Sequence, residues 1–258
     1  MRIYIHILSC AAFVLLLACS HISDDERLIY VKPTKAVRCV LLEDFTGQRC
    51  INCPKASEEI QLLHTVYSEE SVVAVAIHSG PLGFRTNDRF MGLSTDIGDS
   101  YYDYWNIEHQ PVGLVNRGGL LEYKEWSARI REELQKSSPV TILLKSIQED
   151  ANKLTIHAEV MATDNDIKGK FQLWVVEDSV SAFQLMPDGT RNDSYIHRHV
   201  FRTSINGLWG DEISISGGET ITRNYSVKLR EEWVMENLSV VGFIYSDKEV
   251  LQTVKIDL

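Results

Sequence analysis

The chain has no basic run, no internal repeat and no low-complexity tract. Lys and Arg number 26 against 36 Asp and Glu, for a formal charge of −10. Nucleic acid is therefore excluded as a partner class, because phosphate binding needs clustered cations. A long hydrophobic run is also missing. The N-terminal apolar stretch from Ile3 to Ala18 falls short of the ~20 residues a permanent spanning helix requires. Cysteine is scarce, with five in 258 residues. A single Cys-x-x-Cys without a second pair or a nearby His does not make a zinc site. Attachment of a c-type haem needs His after the second Cys, where this chain has Pro54. No metal and no cofactor is expected. His197 and His199 would share one face of a strand and read as ordinary polar residues on an exposed face rather than as ligands.

What is present begins with a secretory signal: Arg2, an apolar middle, then small residues. It closes as Leu16-Leu17-Ala18-Cys19, which resembles the lipobox of bacterial lipoproteins. The resemblance implies cleavage before Cys19 and acylation of that residue, anchoring the chain to a membrane without a spanning segment. Ser23-Asp24-Asp25-Glu26 follows and resembles the surface-export signal of lipoproteins in the Bacteroidota. The expected organisation is a signal over 1–18, a tether over 19–35, a first domain over 36–137 and a second over 138–258.

Val37 to Phe45 reads as a strand and Cys50 to about Tyr67 as a helix, with Ile60, Leu62, Leu63 and Val66 at helical spacing. Val72 to Ile77 is a short apolar strand of the kind buried on both faces. A helical stretch lies near Ile97–Trp105, a strand over Val112–Asn116, and an amphipathic helix over Lys124–Lys136, stopped by Ser137-Ser138-Pro139. Beyond Pro139 the pattern changes. Val140–Ile147 and Leu154–Ala162 alternate; Phe171–Val176, Ile221–Val227, Leu238–Tyr245 and Val250–Ile256 are strand-like, with turn signals between them. Trp174, Trp209 and Trp233 read as core or its edges. The fold class predicted is an α/β first domain followed by an all-β sandwich domain.

Strand, Cys50-Ile51-Asn52-Cys53, then helix puts Cys50 at a helix N-terminus, where free N–H groups and the helix dipole stabilise a thiolate. Arg49 adds positive potential, and Pro54 suits the first helical turn. His78 and His109 flank this region in sequence. Cys39 reads as a buried small hydrophobe. The order of these features resembles the thioredoxin superfamily across residues 36–137. That resemblance implies an α/β thioredoxin-like domain with Cys50 and Cys53 as its pair, Asp44 as proton acceptor for the second Cys, and Pro111 as a cis-proline presenting backbone to a substrate peptide. Leu41 to Pro54, Val115-Asn116-Arg117 and Tyr195 to Arg202 further resemble the family named for outer membrane protein 28, envelope lipoproteins of the Bacteroidota. Two functions stay open. One is thiol–disulfide exchange on an extracytoplasmic protein substrate, with Cys50 attacking or attacked and Cys53 resolving the mixed disulfide. The other is non-enzymatic binding of a surface ligand, with the Cys pair as a structural disulfide.

Overall fold

The computed structural model describes residues 36–150 and 152–258. The predicted signal, the tether and the lipidation site Cys19 lie outside the described residues. Sixteen strands are present: β1 (Ala36–Val37), β2 (Val40–Thr46), β3 (Val72–His78), β4 (Val112–Val115), β5 (Leu120–Leu121), β6 (Ser137–Ser138), β7 (Val140–Asp150), β8 (Lys153–Ala162), β9 (Ile167–Glu177), β10 (Val180–Leu185), β11 (Arg191–His197), β12 (Val200–Ser204), β13 (Asp211–Ile215), β14 (Thr220–Lys228), β15 (Leu238–Tyr245) and β16 (Val250–Asp257). Three α-helices accompany them: α1 (Cys53–Val66), α2 (Asp96–Tyr104) and α3 (Trp126–Leu134).

Every residue of β2 and β3 is buried. β3 is a nearly continuous apolar run of Val, Ala and Ile, and β2 opens with Val40-Leu41-Leu42 before the buried Glu43 and Asp44; such apolar runs suit the interior of a sheet covered on both faces. They pair in parallel, from Val40 opposite Val72 to Thr46 opposite His78. The crossover between them is α1, which buries Ala56, Ile60 and Leu63 and leaves Leu62 and Val66 exposed. β4 adds to the far edge of β2 in antiparallel fashion. At Gly113 a Cβ would lie 2.7 Å from both the Glu43 carbonyl oxygen and the Trp126 ring, so only glycine admits this approach.

The other edge of β3 does not end the sheet. β12 joins it in parallel, and Ala76 N donates to the His199 carbonyl at 2.7 Å. β9 then pairs with β12, β15 with β9, and β16 with β15, giving the order β16-β15-β9-β12-β3-β2-β4-β5, with β13 also beside β9. The core follows the sheet. Leu41, Phe45, Val73 and Ile77 pack in one cluster with Trp174, Phe201, Val241 and Phe243. A second cluster joins β7 and β8 to β9, β13 and β15 through Leu144, Ile156, Phe171, Leu173 and Val240. Each of these apolar side chains stabilises the fold by roughly 1.5–3 kcal/mol on full burial.

The predicted fold class, an α/β thioredoxin-like domain followed by an all-β sandwich domain, is therefore corrected. Sixteen strands against three α-helices make the described residues predominantly β. Its largest sheet takes strands from both halves of the sequence, so among the described residues no α/β domain with a sheet of its own forms. The physical reason is edge choice. The β2-α1-β3 segment has α/β periodicity locally, but local pattern does not say which strand takes the open edge of β3. That strand is β12, some 120 residues on, and it was absent from the predicted elements. Asn116 makes the join tighter. It exchanges bonds with Leu41 (Asn116 N to Leu41 O at 2.8 Å, Leu41 N to Asn116 Oδ1 at 2.9 Å), and its carbonyl accepts from Val250 N at 2.9 Å.

Candidate functional site

β2 runs into Gly47, where a Cβ would meet the Leu82 carbonyl oxygen at 2.3 Å. The close approach lets Arg49 N donate to that carbonyl at 2.9 Å, and Cys50 N turns back to Gly47 O at 3.0 Å. α1 then starts at Cys53 with Pro54 in its first turn. Asn52, at the cap position, gives no side-chain cap. Instead the Cys53 N–H donates to Cys50 Sγ at 3.1 Å, so the free helix terminus is met by sulfur. Cys50 and Cys53 form a disulfide across a Cα–Cα distance of 5.4 Å. The Gln110–Pro111 bond is cis, and the Gln110 carbonyl oxygen lies 3.5 Å from Cys50 Sγ. The two cysteines and the Pro111 loop, expected together from sequence, are thus adjacent.

Asp44 lies on β2 and is 1% exposed. Neither carboxylate oxygen has a hydrogen-bond partner among the described residues. Burial pushes its carboxyl up to about 8. It lines a cavity of about 20 Å³ with Ser57 and Gln61 of α1, Tyr195 and His199.

The disulfide is buried. Cys50 and Cys53 are each 2% exposed, and the turn that carries them is bonded to the hairpin of β10 and β11, a two-stranded sheet of its own. Gln184 Nε2 donates to the Cys50 carbonyl at 2.8 Å and to the Gly47 carbonyl at 3.3 Å. Leu185 N donates to Gln48 O at 2.9 Å. Gln48 answers with Nε2 to the Phe183 carbonyl at 3.1 Å, while its Oε1 accepts from Leu93 N at 2.9 Å. Gln110 Nε2 bonds the Thr46 carbonyl at 2.7 Å below. Phe84, Phe90 and Phe183 pack edge to face over the same loop, and Arg49 stacks on Phe84 at 5.0 Å. These three glutamines carry no sequence signal. Each acts by bonding carbonyls far along the chain, which no motif reports.

The histidines resolve differently from one another. His109 is exposed and pairs with Glu122 at 2.6 Å. His78 and His197 are buried and meet at 3.3 Å (Nε2 to Nδ1). His199 is buried between His64 and Asp178. Burial lowers His197 and His199 to about 4, and His78 well below its ordinary value. The exposed polar pair expected at 197 and 199 is instead two buried neutral rings. No group of three or more potential metal ligands occurs among the described residues. Cys39 is half-buried and free, and burial pushes its thiol up. Trp174 is in the core, as expected, and Trp209 and Trp233 are partly buried against the clusters.

The sequence from residue 98 to 258 matches the family model described as outer membrane protein Omp28. The chain belongs to the Omp28 family. Family membership places it at the outer membrane, and no helix among the described residues is long and apolar enough to cross a membrane. Among solved structures this Omp28 chain is similar in fold to HBP35 of Porphyromonas gingivalis, with a TM-score of 0.68 and 16% identity over 86% of this chain and 76% of that one. A domain of the outer membrane lipoprotein Omp28 from Porphyromonas gingivalis is 20% identical over 47% of this chain and 88% of that one, at a TM-score of 0.36 too low to carry a structural argument. No curated protein matches the chain.

Proposed function

We propose that this Omp28-family chain is a non-enzymatic surface-binding lipoprotein, held to the outer membrane by acylated Cys19, in which Cys50–Cys53 is a structural staple. The observation that carries the reading is the burial of the pair. Exchange requires a thiolate to reach a disulfide sulfur, yet both half-cystines are 2% exposed, in a turn bolted to the hairpin by Gln184 and Gln48. A disulfide across so short a loop and so deeply buried closes the β2–α1 turn on itself, and the hairpin bonds to the turn so fixed through Gln184.

A second reading keeps thiol–disulfide exchange on an extracytoplasmic protein. The observation favouring it is Asp44, an unpartnered buried carboxyl raised to about 8, and so able to hold or release a proton near neutral pH. In that reading the Cys50 thiolate of the reduced pair attacks a partner disulfide, and the Cys50–partner bond forms as the partner's S–S bond breaks. The Cys53 thiolate then attacks Cys50, re-forming Cys50–Cys53 as the mixed disulfide breaks and the partner's second thiolate leaves. Asp44 takes the Cys53 proton and Pro111 positions the partner chain. The buried pair must first become accessible. The reduction potential of the pair, read by thiol alkylation across redox buffers, separates the two. A value below about −300 mV is expected; one between about −120 and −270 mV overturns the staple.

A further inference from the structure

Beside Arg117 the surface carries a pocket of about 360 Å³ that no feature so far accounts for. Its size is that of a small-molecule site. Four aromatic side chains line it: Tyr104, Trp105, Trp209 and Tyr245. Tyr104 and Trp209 stand with ring centroids 4.3 Å apart, and Tyr104 and Trp105 5.1 Å apart. Tyr104, at the end of α2, is nonetheless 59% exposed.

The platform is rigid. Tyr245 Oη donates to the Trp209 carbonyl and Tyr101 Oη to the Leu208 carbonyl, both at 2.6 Å, pinning the loop that carries Trp209. Arg117 is 7% exposed and lies 4.3 Å from the Tyr245 ring centre, about 6 Å from those of Trp105 and Trp209. Two nitrogens of its guanidinium are held by Glu43. A site whose rings are fixed before binding loses little entropy on binding.

The rim sets the ligand's charge. Lys170 and Lys248 line the pocket and make no ion pair among the described residues. Glu249 is already engaged by Arg38 at 2.7 Å and by Lys136. The Arg117 charge is met by Glu43. Against the two lysines stands only Asp247, so the rim carries one excess positive charge on a chain of net −10.

We propose that this pocket binds a sugar bearing a carboxylate or sulfate. The electron-rich ring faces take the C–H face of a pyranose, Ser246 and Asp247 meet hydroxyls, and Lys170 and Lys248 meet the anion. The ligand class rests on the reading of the chain as a binding protein. The test is titration of the full chain in detergent, followed by tryptophan fluorescence and calorimetry. The probes are trigalacturonate, a chondroitin sulfate disaccharide, neutral maltotriose and N-acetyltryptophan amide. Saturable binding of one acidic probe is expected, about tenfold or more tighter than maltotriose. Which acidic probe binds tells carboxylate from sulfate. Tyr104→Ala, at an exposed position, weakens it about tenfold, and Lys170→Gln with Lys248→Gln removes the preference over maltotriose. Absence of saturable binding of either acidic probe up to about 10 mM overturns the proposal. So does binding unmoved by Tyr104→Ala, or tighter binding of the tryptophan amide than of any sugar. These outcomes are independent of the Cys50–Cys53 potential, so the ligand class can fail while the staple stands, and the reverse.

Discussion

The side-chain amide of Gln184 donates to the backbone carbonyl of Cys50 at 2.8 Å, across 134 residues of chain. This bond ties the hairpin to the disulfide turn, and it gives the first prediction. Gln184→Ala leaves the Cys50 and Gly47 carbonyls without that donor, at a cost of about 1–3 kcal/mol. The hairpin then opens more often, and the disulfide is reduced faster by dithiothreitol. Alkylation time courses should show a rate increase of about fivefold or more, since 1 kcal/mol of opening free energy is about that factor. Equal rates in variant and wild type would mean the hairpin does not govern access to sulfur.

Asp44 gives a pH-dependent prediction. Its carboxyl titrates near 3.8 in an unfolded chain and at about 8 in the fold. The raised value means the neutral form is favoured by folding. The contribution is fully present below about pH 4 and is lost as pH rises through 8. Asp44→Asn removes this dependence. The variant should match wild type near pH 4 and exceed it increasingly towards pH 8.5, by an amount on the order of a few kcal/mol. Thermal melts at pH 5, 7 and 8.5 measure the difference, and a constant difference across them contradicts it.

How far these features were legible in the sequence differs by kind. Strands β2, β3 and β15 and helix α1 are written in continuous apolar runs or helical spacing, and Leu238–Tyr245 matches the predicted bounds. The strands β10 to β13 were not legible. β11 reads Arg-Asn-Asp-Ser-Tyr-Ile-His, nearly all exposed, with no period-2 alternation to find. β12 follows His199, whose positive φ of 55° breaks the chain's run. Those elements decide the architecture, because β12 joins the two halves in one sheet and β10–β11 bonds to the disulfide turn. Cys50, Cys53 and Pro111 could be picked out by motif. Gln48 and Gln184 could not, since their roles lie in carbonyls supplied by distant segments. The pocket aromatics Tyr104, Trp209 and Tyr245 converge only after the sheet is assembled.

The buried histidines predict acid lability. His78, His197 and His199 refuse protons in the fold that the unfolded chain accepts near 6.5. For a base with a lowered folded value, stability is lost as pH falls from about 6.5 towards 4, by about 1.4 kcal/mol per pH unit for each histidine. Asp44 works in the opposite direction over this range, so the slope is cleanest in Asp44→Asn. In that background urea midpoints should fall steeply between pH 6.5 and 5. His197→Gln should reduce the slope by about one proton. A midpoint flat over that interval would place the histidines in water.

The ion pair of Arg117 and Glu43 tests the join between the halves of the chain. Its bonds are 3.1–3.3 Å, and the two side chains are 4% and 0% exposed. Glu43 sits on β2, while Arg117 is surrounded by Phe243, Tyr245 and Trp174 from the second half. Removing one partner strands a buried charge, so Glu43→Gln or Arg117→Met alone should cost about 3–5 kcal/mol. Removing both, as Glu43→Met with Arg117→Met, avoids the stranded charge and replaces desolvated ions with apolar volume. The double variant should therefore be more stable than either single one, with a coupling of about 1–3 kcal/mol in a double-mutant cycle. Urea unfolding of the four proteins measures it. Additive losses would mean that water reaches the pair, and that the aromatic cage rather than the charge match holds Arg117 in place.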